Sequence, residues 1–289
     1  MIIITHRGID CNRPEDMVES SYEAFVDHLK KGYGLEFDLQ LTKDSHIVVS
    51  HDSSFKRLSG GVITEDISEM SIDDFLSVRI NSNRFVSLDE LLSLIDIYRQ
   101  PGSIFCIHLK GAFQVNANLQ ILSKKLLTLK ETSHLIFFDV TIESAEYLKV
   151  LQPDIKLAPS IVHPYDKERY SQFTQNTLYT FSDIEDKLHL FSHVWLDEWD
   201  RKASLNKSKT LYNKELFDKI KSVGLKVCLV SPELHRTSPG LLGTEMHEDA
   251  RNLDVLKLRL EQILELSPDV ICSDYPDMVR DLASNYDLV

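Results

Sequence analysis

Short apolar runs alternate with longer amphipathic stretches along the whole chain. Runs at Ile2–Thr5, Gly34–Leu41, Ile104–Leu109, Leu135–Asp139, Ile155–Ala158, His193–Leu196, Lys226–Val230 and Val270–Ser273 have the length and composition of strands. Between them, apolar positions recur at helical spacing over Ser20–Lys31, Leu88–Tyr98, Ala117–Lys130, Ile142–Leu151, Asn213–Val223 and Leu253–Leu266. Gly224 and Pro268 break the chain ahead of the last two strands. Strands that alternate with helices imply a parallel sheet, because parallel neighbours need a crossover between them. Eight such strands predict a (β/α)8 barrel, a fold of about 250 residues. No linker-like stretch or shift in composition divides the chain, so residues 1–289 are expected to form one barrel domain.

Two stretches depart from this rhythm. Residues 45–86 follow the second strand and hold a short strand-like run, Ile47–Ser50, then a Ser59-Gly60-Gly61 turn, which predicts a small insertion there. Residues 231–251 make a long polar loop after the seventh strand, carrying Glu233, His235, Arg236, His247 and Glu248. Loops that follow barrel strands build the active face, so a long one points to function.

Candidate chemistry comes from polar residues where strands should be apolar. In Gly34–Leu41 the alternation of a strand turns Leu35, Phe37, Leu39 and Leu41 one way and Glu36, Asp38 and Gln40 the other. Both faces of a barrel strand are covered, and two neighbouring carboxylates repel and resist desolvation. A divalent cation such as Mg²⁺, Ca²⁺ or Mn²⁺ relieves both problems; the alternative is a strand end that reaches solvent. The third strand repeats the pattern, with Cys106, His108 and Lys110 sharing a face near its C-terminal end, where barrel enzymes keep their reactive groups. His6 and His51 end a strand and a strand-like run, and imidazole suits proton transfer near neutral pH.

Composition removes several function classes. Lys and Arg number 32 against 45 Asp and Glu, a net charge of −13 with no offsetting basic stripe, so a nucleic-acid partner is not expected. An anionic substrate would then need a local cluster of cations. No stretch approaches the roughly 20 apolar residues of a membrane span. Met1–Thr5 lacks the basic start and cleavage site of a signal peptide. Cys11, Cys106, Cys228 and Cys272 form no Cys-x-x-Cys pair, which argues against a zinc cluster or a disulfide framework. A soluble, cytoplasmic protein is expected.

Taken in order, the polar motifs carry more than each alone. His6-Arg7-Gly8, Glu19-Ser-Ser-Tyr-Glu-Ala-Phe25, Glu36-Phe-Asp38, Leu41-Thr-Lys-Asp44 and His51-Asp52 resemble the signature of the glycerophosphodiester phosphodiesterase family. Ile107-His-Leu-Lys110, Phe138-Asp139 and Ser273-Asp-Tyr-Pro276 extend the resemblance over nearly the whole chain. The resemblance implies a (β/α)8 barrel with a small insertion after the second strand. It also implies a metal pair at Glu36 and Asp38, acid/base histidines at His6 and His51, and phosphate contacts at Arg7 and Lys110. Glu19 matches a glutamate that lies beside the metal and histidines in the family, and its plain reading is a carboxylate at a helix N-terminus.

The departures bear on metal and substrate. His108 replaces the family's third metal-binding carboxylate, which removes a negative charge and favours Mn²⁺ or Co²⁺ if the imidazole ligates. Val18 stands where the family has Pro, and Leu229-Val-Ser-Pro-Glu-Leu-His235 replaces its Trp-Thr-Val-Asn segment. Glu233 or His235 is thus a candidate replacement ligand or substrate contact, or a solvated loop residue. Asp197 shares a face with His193 and Trp195 and is a further candidate contact. The expected activity is metal-dependent hydrolysis of a small glycerophosphodiester to an alcohol and a phosphomonoester. The alternatives are a diesterase for a lysophospholipid or a polymer-derived diester, and a ligand-binding or regulatory protein that has lost turnover.

Overall fold

A computed structural model describes residues 1–13, 17–204, 207–234 and 247–286. The chain divides into two compact units, Ile4–Leu135 and Met1–Ile3 with Ile136–Val289. Up to its boundary with the second, the first unit contains, in order, β1 (Ile2–His6), α1 (Tyr22–Lys30), β2 (Gly34–Leu41), β3 (Ile47–Val49), α2 (Ile72–Ser77), β4 (Arg79–Ile80), β5 (Asn83–Arg84), α3 (Leu88–Tyr98), β6 (Phe105–His108) and α4 (Asn116–Leu126). Its sheet runs β1-β2-β6, all parallel, with β3 antiparallel on β2. The register sets His6 opposite Glu36 and Asp38 opposite His108. Polar positions read separately along three strands therefore fall side by side.

Local chemistry fixes these elements. Ser21 caps α1 by accepting the Ala24 N–H at 3.2 Å, which starts the helix two residues later than its apolar spacing predicts. α4 ends at Leu126, four residues short of the predicted end, where the Thr128 hydroxyl donates to the Lys125 carbonyl. Gly34 opens β2 where no side chain fits. A Cβ there would lie 2.1 Å from the Ile104 carbonyl oxygen and 2.6 Å from Ile4 Cγ2. The insertion predicted at residues 45–86 is a packed body. Val48, Phe55, Ile67, Met70, Phe75, Val78, Ile80 and Phe85 form its own apolar cluster, with the Phe55 and Phe85 rings 4.5 Å apart.

The second unit contains β7 (Leu135–Phe138, from Ile136 on), α5 (Ile142–Leu151), β8 (Lys156–Ala158), β9 (Ser160–Ile161), α6 (Pro164–Tyr170), β10 (Leu178–Tyr179), β11 (His193–Leu196), β12 (Lys202–Ser204), β13 (Lys207–Ser208), α7 (Lys214–Ser222), β14 (Lys226–Val230), α8 (Leu253–Glu265), β15 (Val270–Ser273) and α9 (Pro276–Ser284). β7 pairs with β8, and β10-β9-β11-β14-β15 form a parallel run. The longer strands match the predicted runs to within a residue or two; β9, β10, β12 and β13, of two or three residues each, are too short to leave a period in the sequence and have no predicted counterpart. Among the described residues no helix is long and apolar enough to cross a membrane.

Candidate active site

β1 ends in a turn that few sequences tolerate. Arg7 and Gly8 both take positive φ, 54° and 72°, and only the glycine does so without strain. The turn is held by the Arg7 N–H on the Glu36 carbonyl at 3.0 Å and by the Ser20 N–H on the Arg7 carbonyl at 2.7 Å. It buries the Arg7 side chain against Glu19 and Asp38. NH1 lies 3.4 Å from Glu19 Oε1 and Nε lies 3.4 Å from Asp38 Oδ2.

Glu36 and Asp38 are 3% and 0% exposed, so neither is the solvent-reaching strand end that the sequence left open. Their environments differ sharply. Burial, and then the charge of Asp38, push the Glu36 carboxyl up to about 7. Burial works against Asp38 too, but Lys110, the hydrogen bond from His108 and Arg7 hold it well below the usual carboxylate range. Asp38 Oδ1 accepts from His108 Nδ1 at 2.8 Å and lies 3.0 Å from Lys110 Nζ.

One oxygen of each carboxylate, Glu36 Oε2 and Asp38 Oδ2, is buried without a hydrogen bond. Ligand atoms of Glu36, Asp38 and His108 all lie within 4.8 Å of one another. Two buried hard oxygens without a hydrogen bond, one of them with the Arg7 guanidinium 3.4 Å away, suit a divalent cation beside an imidazole, so these residues fit one.

His51 follows β3 and is half-buried. Its Nδ1 lies 2.6 Å from Asp52 Oδ1. Burial, then Arg7 and Lys110, push the imidazole down to about 3, so it is neutral at pH 7. An ionised Asp52 fixes the ring proton on Nδ1 and leaves the Nε2 lone pair to accept a proton. Glu19 is no ordinary helix-end carboxylate. It is buried, and burial is outweighed by Arg7 and by a two-pronged contact with Arg57, whose NH1 and NH2 lie 3.1 and 2.6 Å from its two oxygens.

The first unit thus brings together His6, Arg7, Glu19, Glu36, Asp38, His51, His108 and Lys110. Asp197 and Glu233 belong to the second unit, and His235 lies outside the described residues. Asp197 directly follows β11 and its N–H donates to the Ile161 carbonyl at 3.1 Å. Glu233 is not a solvated loop residue. It is 3% exposed and its Oε1 accepts from Ser231 Oγ, Ser273 Oγ and the Asp274 N–H at 2.5, 2.5 and 3.1 Å, tying the ends of β14 and β15 together. Burial and Asp274 push its carboxyl up. Sequence reading singled out neither Arg57 nor Glu198. Glu198 is buried, accepts the Tyr212 N–H at 3.2 Å and pairs with Arg259 at 2.6 Å. It forms, with His247 and Asp249, a second group whose ligand atoms lie within 4.8 Å of one another. Arg259 already occupies that group as its cation, which marks it as structural.

A glycerophosphodiester phosphodiesterase from Parabacteroides distasonis superposes with a TM-score of 0.68 at 18% identity, over 99% of this chain and 86% of that one. One from Thermotoga maritima gives 0.60 at 18% identity over 98% of both chains. An Oleispira antarctica phosphodiesterase, solved with the product sn-glycerol-3-phosphate, gives 0.64 at 15% identity over 98% and 97%. The fold is a (β/α)8 barrel. The glycerophosphoryl diester phosphodiesterase family matches residues 6–229, and the chain belongs to it. A Caldanaerobacter subterraneus glycerophosphodiester phosphodiesterase is 32% identical over 101 residues, and a mouse lysophospholipase D is 27% identical over 117. These matches cover 32% and 37% of this chain and span only 40% and 34% of the relatives' own lengths.

Proposed function

We propose that this protein hydrolyses a small glycerophosphodiester to an alcohol and a phosphomonoester of the glycerol 3-phosphate type, using a divalent cation. The observation that carries the reading is the buried Glu36–Asp38 pair beside His6, with Arg7 and Lys110 both against Asp38. Membership of the family and a neighbour solved with sn-glycerol-3-phosphate support the substrate class. Glu36, Asp38 and His108 would hold the cation, which supplies charge to offset the phosphate in the transition state. Arg7 and Lys110 orient the nonbridging oxygens. Neutral His51 takes the proton of the attacking oxygen at Nε2 as its bond to phosphorus forms. His6 gives a proton to the departing alcohol oxygen as its bond to phosphorus breaks.

The test is release of phosphomonoester from glycerophosphocholine with and without EDTA, repeated with Mg²⁺, Ca²⁺, Mn²⁺ and Co²⁺ restored singly. Expected are loss of activity on chelation and recovery with at least one ion. Full activity after chelation removes the cation, and no release with any ion removes the hydrolytic reading. The mouse relative's name favours a second substrate, an acyl-bearing lysophospholipid, which the same assay compares directly.

A further inference from the structure

The insertion after β2 reaches the site through one side chain. Arg57 sits in a turn anchored by fully buried Phe55 and closed by the Ser59 N–H on the Phe55 carbonyl and the Gly61 N–H on the Lys56 carbonyl, at 2.8 and 2.7 Å. All three of its nitrogens are engaged. Nε donates to Asp52 Oδ2 at 2.7 Å, while NH1 and NH2 donate to Glu19 Oε2 and Oε1 at 3.1 and 2.6 Å. Asp52 turns its other oxygen to His51 Nδ1, and Glu19 turns its shared oxygen to Arg7. The result is an unbroken chain of contacts from His51 through Asp52, Arg57, Glu19 and Arg7 to Asp38.

We propose that Arg57 is a positioning residue: by clamping Asp52 and Glu19 to one rigid guanidinium, it fixes the His51 imidazole with its proton on Nδ1. Without the clamp, Asp52 is an acidic side chain on a bend with its second oxygen unheld, free to rotate away from the ring. A planar guanidinium meets two carboxylates at fixed angles, which an ammonium cannot do. The insertion is then more than a rim decoration, because its packed core carries the residue that orders the proton acceptor. The inference rests on His51 being that acceptor, as proposed above, and its test separates the two.

The experiment records ring ¹⁵N spectra of the full chain labelled at histidine, without added metal, with His51→Gln assigning the resonance. Expected in the native protein is a dominant Nδ1–H tautomer, and in Arg57→Met a shift of that population toward Nε2–H. Turnover of Arg57→Met, with metal restored, should fall roughly 10- to 100-fold, the usual cost of losing an orienting partner. KM should stay within about twofold, because the residue holds an acid/base group and not the phosphate. Arg57→Lys should recover part of both signals. If Arg57→Met fails to fold, Asp52→Asn alters the next link of the clamp, the one to His51, while leaving the Arg57–Glu19 contact. Its amide can donate to Nδ1, so the tautomer should invert. An unchanged Nδ1–H population in folded Arg57→Met overturns the proposal whatever happens to turnover, as does an unchanged tautomer in Asp52→Asn. A shifted tautomer together with full activity of His51→Ala would sustain the Arg57 clamp and refute the role given to His51.

Discussion

Gly34→Ala is the smallest change that tests how the fold delivers the site. The added Cβ would stand 2.1 Å from the Ile104 carbonyl oxygen, more than 1 Å inside the 3.4 Å at which ordinary contact begins, and 2.6 Å from Ile4 Cγ2. The first obstacle is backbone, which cannot rotate away as a side-chain tip can. β2 must therefore move relative to β1 and the chain entering β6, the strands that bring His6 and His108 opposite Glu36 and Asp38. Overpacking costs about 1–3 kcal/mol even where side chains can give. With backbone as the obstacle the cost belongs at or above the upper end, about 3 kcal/mol. For a chain of this size that corresponds to a fall in Tm of roughly 5 °C. Urea denaturation of the native and Gly34→Ala proteins, followed by circular dichroism, measures it directly. Activity per folded molecule should fall as well, because the displaced strand carries both carboxylates. A loss below about 1 kcal/mol with full activity would refute the claim that Gly34 sets the spacing of these strands.

Three further outcomes are expected. Stability should depend on pH through His28, which is fully buried and which burial pushes down to about 4. The unfolded chain takes up that proton near 6.5 and the folded protein does not, so this contribution is complete above pH 6.5. It declines by about 3 kcal/mol as pH falls to 4, and urea midpoints of native protein and His28→Gln across that range check it. His6→Ala and His51→Ala should each lower turnover by roughly 10² to 10⁴ while leaving the urea midpoint close to native; near-full activity in either variant removes that histidine from the proposed chemistry. His108→Glu should move the preferred ion from Mn²⁺ or Co²⁺ toward Ca²⁺ or Mg²⁺, read by calorimetry, and unaltered preference would take His108 out of the ligand set.

What was legible in the sequence depended on whether a residue obeys or breaks a local period. β2 is readable because four alternate positions are apolar, and Glu36 and Asp38 stand out because they interrupt a strand that should be covered on both faces. Asp197 shows the limit of that logic. Alternation groups it with His193 and Trp195, but β11 ends at Leu196, and past the strand end a period of two no longer says where a side chain goes. The residue after it, Glu198, is the buried acid, held by Leu211 and Tyr212 from the segment before α7 and by Arg259 from α8. Arg57 was illegible for the same reason: its two partners lie 5 and 38 residues away, and nothing in a polar stretch marks which arginine will meet them.

The asymmetry has a physical origin. A carboxylate inside a strand announces itself because burying charge is costly and the surrounding pattern is regular. Some of the cations that offset the cost, Arg7 and Arg57 among them, come from a turn and an insertion, where spacing follows from the finished fold. In this protein Asp38 is balanced by Arg7 from a left-handed turn, by His108 and by Lys110 beyond the end of β6, and Glu19 by Arg57 from the insertion. Long cationic side chains reach such acceptors from many backbone positions, so an acceptor's place in the sequence does not mark its cation's. Glu36, Asp38, His108 and Lys110 are therefore legible from the period of the strands that carry them, whereas Arg57 and its hold on Glu19 are written only in the folded chain.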